Sequence, residues 1–211
     1  DLALAAAGNP LSMKALLFTA LTESDQLEAP THPTLNALLT RRYADWRNRV
    51  APEVCLGVQV LAVLGHRVTQ QDWLGVMARM VPSVELWLLD GAIEAQFVEL
   101  GSNGIISFRH GKFVDVVQAE VEESGHLVRL NREAAEFLDS EEGPDYGRIA
   151  LHYAAANLQE KAAEKWFLAA LIYRERSDFP NLKWALMKSA RALKVARVSG
   201  RDRRWYTLSI N

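Results

Sequence analysis

The chain is short of cysteine, with only Cys55 among 211 residues. That scarcity excludes an internal disulfide framework and cysteine-rich zinc sites, and Cys55 lies in an apolar run where it reads as a small core residue. A lone cysteine suits an intracellular, cytoplasmic setting. Long apolar runs are missing as well. Nothing approaches the ~18–20 uninterrupted apolar residues that cross a bilayer, and no basic segment precedes an apolar one at the start, so no membrane partner is expected. Neither sign of charge dominates: 24 basic against 26 acidic residues give a net charge of −2. No global field therefore draws the chain to nucleic acid or to an anionic surface.

Catalytic signatures are also scarce. His32, His66, His110, His126 and His152 form no HExxH or other short-range ligand pair, and there is no GxSxG elbow or dinucleotide glycine fingerprint. No catalytic residue and no metal ligand is assigned. The stretch AAAGNPLSMKALL, Ala5 to Leu17, spaces Gly8 and Lys14 as a phosphate loop would. Met13, however, stands where a second glycine is needed and Ala15 where a magnesium-binding hydroxyl is needed. The simpler reading is a helix that ends at Gly8 and a new one whose first turn holds Pro10.

What is present is a core and a helical pattern. Hydrophobic residues make up 49% and charged residues 24%, ordinary for a folded globular chain. The chain opens on Asp1 without a methionine, which predicts a portion of a longer protein. Leu2 to about Arg49 reads as two or three helices broken at EAPTHP; in the last, Arg41, Arg42, Arg47 and Arg49 fall on a solvated face. From Ala51 the texture changes: EVCLGVQVLAVLG is apolar nearly all round and predicts a buried helix with Pro52 in its first turn. Thr69 caps a helix QQDWLGVMARM, and Ser83 is expected to cap a third, VELWLLDGAIEAQ. FVEL, a GSNG turn and IISFRH then read as a hairpin. Three helices followed by a hairpin predict a winged helix.

The remainder predicts helices: KFVDVVQAEV, HLVRLNREAAEFL, and stacked helical hairpins beyond DSEEGPD. Tyr146, Ile149, Ala150, Tyr153, Ala162, Trp166 and Ala169 follow the large–small spacing of a tetratricopeptide unit. The next unit departs from the ~34-residue period because Ala185 and Ala192 come early. The fold class expected is mainly α: a helical lid segment over 1–50, a winged helix with a short β-hairpin over 51–125, and tetratricopeptide-like hairpins over 126–211.

A helix-turn-helix raises the question of DNA. Between Met80 and Phe108 there is no lysine or arginine, while Glu85, Asp90, Glu94 and Glu99 are acidic. Phosphate would repel such a helix, so the sequence favours a protein-packing role, with Leu86, Leu89, Ile93 and Phe97 as a packing stripe and the Trp73 and Trp87 indoles nearby. His110 lies where the hairpin ends and a helix begins. Chemistry alone leaves two readings open there, an anion-facing imidazole or a helix cap. His152 reads as a packed helix residue.

In order, GNPLSMKALL, the three-helix module, ISFRHGKFVDVV, and the run from HLVRLNREAAEFL to ALHYAAANLQEKAAEKWFLAA resemble the C-terminal half of a signal-transduction ATPase with numerous domains. The likeness is to bacterial regulators that end in tetratricopeptide repeats. The resemblance implies that ADP or ATP is the cofactor, with magnesium held through a nucleotide-binding domain N-terminal to the lid. Gly8, Asn9 and Pro10 match the lid's Gly-x-Pro, whose proline lies against adenine. Phe108, Arg109 and His110 match the motif whose histidine reaches the ADP β-phosphate. Gly111 replaces the aspartate that follows the histidine in another form of that motif, so a His-Asp arrangement is not implied. By the same resemblance, the partners are the chain's own nucleotide-binding domain, proteins that dock on the repeats, and further copies on activation. This portion would not hydrolyse ATP by itself. The alternatives are a freestanding winged-helix transcription factor with a helical effector domain, or a repeat adaptor with no nucleotide link.

Overall fold

The computed structural model describes residues 35–196. Within them the protein is mainly helical, with one small sheet. Helix α1 spans Leu35–Arg47 and α2 spans Pro52–Leu64. Strand β1 (Arg67–Thr69) leads into α3 (Gln70–Ala78), and a 3-10 turn (Leu86–Leu89) runs directly into the short α4 (Asp90–Glu94). Strands β2 (Val98–Leu100) and β3 (Ile105–Phe108) follow. The chain continues as α5 (Gly111–Glu123), α6 (Leu127–Ser140), α7 (Tyr146–Ala155), α8 (Gln159–Glu175) and α9 (Phe179–Val195).

Helix α2 is the centre of the first half because its sequence leaves almost no polar face. Val58, Leu61 and Ala62 are fully buried, and burying a Val or Leu side chain contributes about 1.5–3 kcal/mol. Helix α3 crosses it at Gly57, where an added Cβ would stand 3.0 Å from the Trp73 ring. The fully buried Trp73 uses that approach to donate from Nε1 to the Gly57 carbonyl at 2.8 Å. Thr69 caps α3 as expected, its hydroxyl accepting from the Asp72 amide at 3.0 Å.

The expected helix over VELWLLDGAIEAQ is shorter than its pattern suggests. It starts at Leu86, not after Ser83, and its first turn is 3-10 in form, with Glu85 at the cap position and no side-chain cap bond. Pro82 lies just upstream, and residue 83 before the helix takes no helical form. Of the expected stripe, Leu89 and Phe97 are buried and Leu86 and Ile93 partly so. The stripe is thus spent on the internal core, whereas Trp87 stands outside at 55% exposure.

The hairpin forms as predicted, with Val98 opposite Phe108 and Leu100 opposite Ile106. A third strand joins it: β1 pairs antiparallel with the other edge of β3, Val68 opposite Ile106, giving the order β1-β3-β2. The sequence pattern gives no sign of β1. Three residues with only Val68 buried are too short to show alternation.

In the second half, α6, α7, α8 and α9 each pack on the helix before. The small–large spacing is used as the sequence suggested. Ile149, Ala150, Tyr153, Ala162, Trp166 and Ala169 are all buried, and Tyr146 packs partly buried against them. Ala185 and Ala192 are buried in α9. Helix α6 also packs on α2 and α3, and one continuous buried cluster runs from Leu39 of α1 to Leu193 of α9. The seam between α3 and the helices that follow is closely fitted. A Cβ on Gly75 would stand 2.0 Å from the Phe137 ring. Arg79 bridges Glu133 at 2.8 Å and Glu136 at 2.5 Å, and Arg148 reaches back to Asp72 at 2.6 Å.

Candidate functional site

The junction between β3 and α5 gathers the polar groups that the fold brings together from distant parts of the sequence. Its floor is aromatic. Phe97 and Phe113 stack at 4.2 Å, Tyr43 and Trp46 meet them edge-on, and Phe108 lies 6.1 Å from Phe113. All five rings are buried. They lock α1, the hairpin and α5 into one support, so groups projecting from it have defined positions.

Two side chains at this junction, Arg109 and His110, are those expected from sequence. Arg109 is exposed, and its amide donates to the Phe97 carbonyl at 3.0 Å, closing the hairpin. His110 occupies the cap position of the 13-residue α5 with extended backbone (φ −137°, ψ 123°). Its side chain makes no cap bond; only its carbonyl takes part, accepting from the Phe113 amide at 2.9 Å. The helix-cap reading of the imidazole is therefore not the one the geometry supports. The half-buried ring stands near the positive end of a helix whose first amides have no intrahelical acceptor.

Arg42 of α1 is exposed, as its place on a solvated face predicts, and from there its guanidinium lies 4.9 Å from the centre of the Phe97 ring and donates to the Ala95 carbonyl at 2.6 Å, contacts that the sequence does not indicate. Arg47, also exposed, pairs with Glu120 at 3.0 Å. The pKa of His110 is pushed below its ordinary value, first by burial and then by the charges of Arg42 and Arg109. The Arg109 backbone and the Glu99 carboxylate oppose that shift. The imidazole thus takes up a proton less readily than a free one, with two guanidinium charges in its surroundings. An anion there would offset the two guanidiniums and favour a protonated, donating imidazole.

Gly8, Asn9 and Pro10, the other expected binding residues, lie outside the described residues. Among the described residues no group of three or more His, Cys, Asp or Glu side chains could hold a metal ion. No described helix is long and apolar enough to cross a membrane.

His152 provides the internal contrast. It is buried in α7, its Nδ1 2.9 Å from Oδ1 of Asn131, whose Nδ2 donates to the Leu127 carbonyl at 2.8 Å. That bonding leaves Nδ1–H as the donor and the ring neutral. Burial, reinforced by Arg148, lowers its pKa to about 4.

Comparison with protein-family models, with curated proteins and with solved structures gives no match to this chain.

Proposed function

We propose that this chain is the regulatory portion of a signal-transduction ATPase with numerous domains, in which a bound nucleotide is read through a winged helix and passed to tetratricopeptide-like repeats. In this reading residues 1–50 belong to the lid, 51–125 to the winged helix and 126–211 to the repeats. The observation that supports it best is the half-buried His110 imidazole at the start of α5, not used as a side-chain cap and in the field of the Arg42 and Arg109 charges. ADP, held between the nucleotide domain of the full-length protein, the Gly8-Asn9-Pro10 lid turn and His110, locks the closed state. Exchange for ATP releases it and permits assembly. A firm lock requires ADP to favour the closed state by about 3–5 kcal/mol.

Two further features support a protein-switching role over DNA binding. The 3-10 turn and α4, which would have to enter a groove, expose Glu85, Asp90 and Glu94 and carry no cation. The ion pairs and close packing between α3 and α6–α7 form a stiff path from the winged helix into the repeats. Light scattering on the full-length protein in saturating ADP tests the lock. His110→Ala is expected to show in ADP the larger scattering mass that the parent reaches with ATP. A variant whose mass in ADP equals that of the ADP-bound parent would sink the switch role. Salt-dependent binding of duplex DNA by the 211-residue chain would favour a transcription factor instead.

A further inference from the structure

Helix α9 is the last of the described helices, and its outer side is not polar. Here Phe179 is 66% exposed, Met187 63%, Val195 58% and Trp184 43%. At ~100° per residue these four positions fall within about half of the helix surface, so they share one side. Trp184 is held there, its ring edge-on to Trp166 at 4.8 Å and the Lys188 ammonium 5.3 Å from its centre. The same helix carries Lys183, Lys188, Arg191 and Lys194 and no acidic residue. The face is apolar and cationic.

The opposite chemistry stands exposed on the first half of the molecule. Trp87, Asp90 and Glu94 follow one another at i, i+3 and i+7, with Glu85 just before, so an exposed indole sits in an acidic stripe. Among the described residues neither Lys183, Arg191 and Lys194 nor Glu85, Asp90 and Glu94 make an ion pair, so both sets are available to a partner.

We infer that these surfaces pair between copies: the apolar, cationic face of α9 on one molecule takes the acidic, Trp87-bearing face of the next. Charge selects this occupant over two others. Residues 197–211 of the same chain carry Arg197, Arg201, Arg203 and Arg204 against the single Asp202, which repels them from a cationic face. Two α9 faces meeting each other would set like charges opposite, and two Trp87 faces would do the same. The contact is therefore heterologous, and each molecule offers one surface of each kind, so repetition gives a ring or an open chain. The pairing uses neither His110 nor a nucleotide and stands or falls apart from the lock described above.

Sedimentation velocity of the 211-residue chain, from micromolar to sub-millimolar concentration at low salt, is the test. Concentration-dependent association that weakens as salt shortens the screening length to about 10 Å near 0.1 M is expected. Lys183→Glu with Arg191→Glu, and separately Asp90→Lys with Glu94→Lys, should each weaken association about tenfold or more through like-charge contact. Mixing the two variants restores opposite charge across the contact and should restore association. Removing residues 197–211 should leave it intact. A chain monomeric throughout, variants that associate like the parent, a mixture that stays monomeric, or loss of association on trimming residues 197–211 would each overturn the pairing. All four substituted residues are exposed, and unchanged circular dichroism checks that the variants fold.

Discussion

Two histidines with lowered pKa values occupy the two halves of the molecule, and they differ in what surrounds them. His152, in the second half, is buried in α7 and answered by Asn131. His110, at the hairpin junction, is half-exposed, forms no side-chain cap bond and feels the charges of Arg42 and Arg109. A low pKa alone does not mark a functional histidine. What separates the two is what answers the ring and how far it is enclosed. In the second half a buried side chain answers it, and the residue belongs to the architecture; at the junction the ring has the Arg109 backbone and stays half-exposed beside two guanidinium charges.

The largest effect should come from removing the floor that distinguishes the junction. Phe113→Ala deletes a ring in contact with Tyr43, Phe97 and Phe108. It is expected to cost about 3–5 kcal/mol in urea unfolding and to disperse the Arg42–His110 cluster with it. A loss below 1 kcal/mol would mean the rings are not a common support.

His152 should show itself through pH. Its folded pKa of about 4 lies below the ordinary 6.5, so between those values the unfolded state binds the extra proton. Its contribution to stability is complete above pH 6.5 and is lost as pH falls toward 4, by roughly 3 kcal/mol in all. Denaturation curves of the parent and His152→Gln across that window should converge as pH falls. Parallel curves would show that the ring does not titrate as its burial requires.

At the seam between the halves, Gly75→Ala sets a methyl against Phe137 and is expected to cost about 1–3 kcal/mol by overpacking. A neutral result in thermal unfolding would show that Phe137 can swing away and that the seam is looser than its ion pairs suggest. His110→Ala should be the mildest for stability, within about 0.5 kcal/mol, since it removes no side-chain cap and no buried bond. That small effect, set beside the pH dependence at His152, is the sharpest form of the contrast.

How much of this was legible in the sequence follows from the distance over which each feature is determined. The buried helix α2, the Thr69 cap, the hairpin and the large–small spacing of α7 and α8 are local patterns, and the fold uses them as written. Strand β1 escaped because its identity as a strand lies in its pairing with Ile105–Ser107, far along the chain. The late start of the helix at Leu86 depends on a backbone form that Ser83 and its cap potential misrepresent. Arg42 is exposed as its pattern predicts, but its contacts with the Ala95 carbonyl and the Phe97 ring were not legible because those groups lie more than fifty residues on. Arg109 and His110 could be named from their motif, but only the folded junction shows that the imidazole is not a cap and that the Arg42 charge acts on it.

Equilibrium binding of ADP to the full-length protein, parent against His110→Ala at the same ionic strength, tests the central claim most directly. A charge-assisted hydrogen bond contributes about 1.5–3 kcal/mol, so the variant should bind ADP roughly 10- to 150-fold more weakly, with the difference growing as pH falls and the imidazole protonates. Equal affinity for ADP in the two proteins across that pH range would contradict the assignment of this junction as the nucleotide sensor.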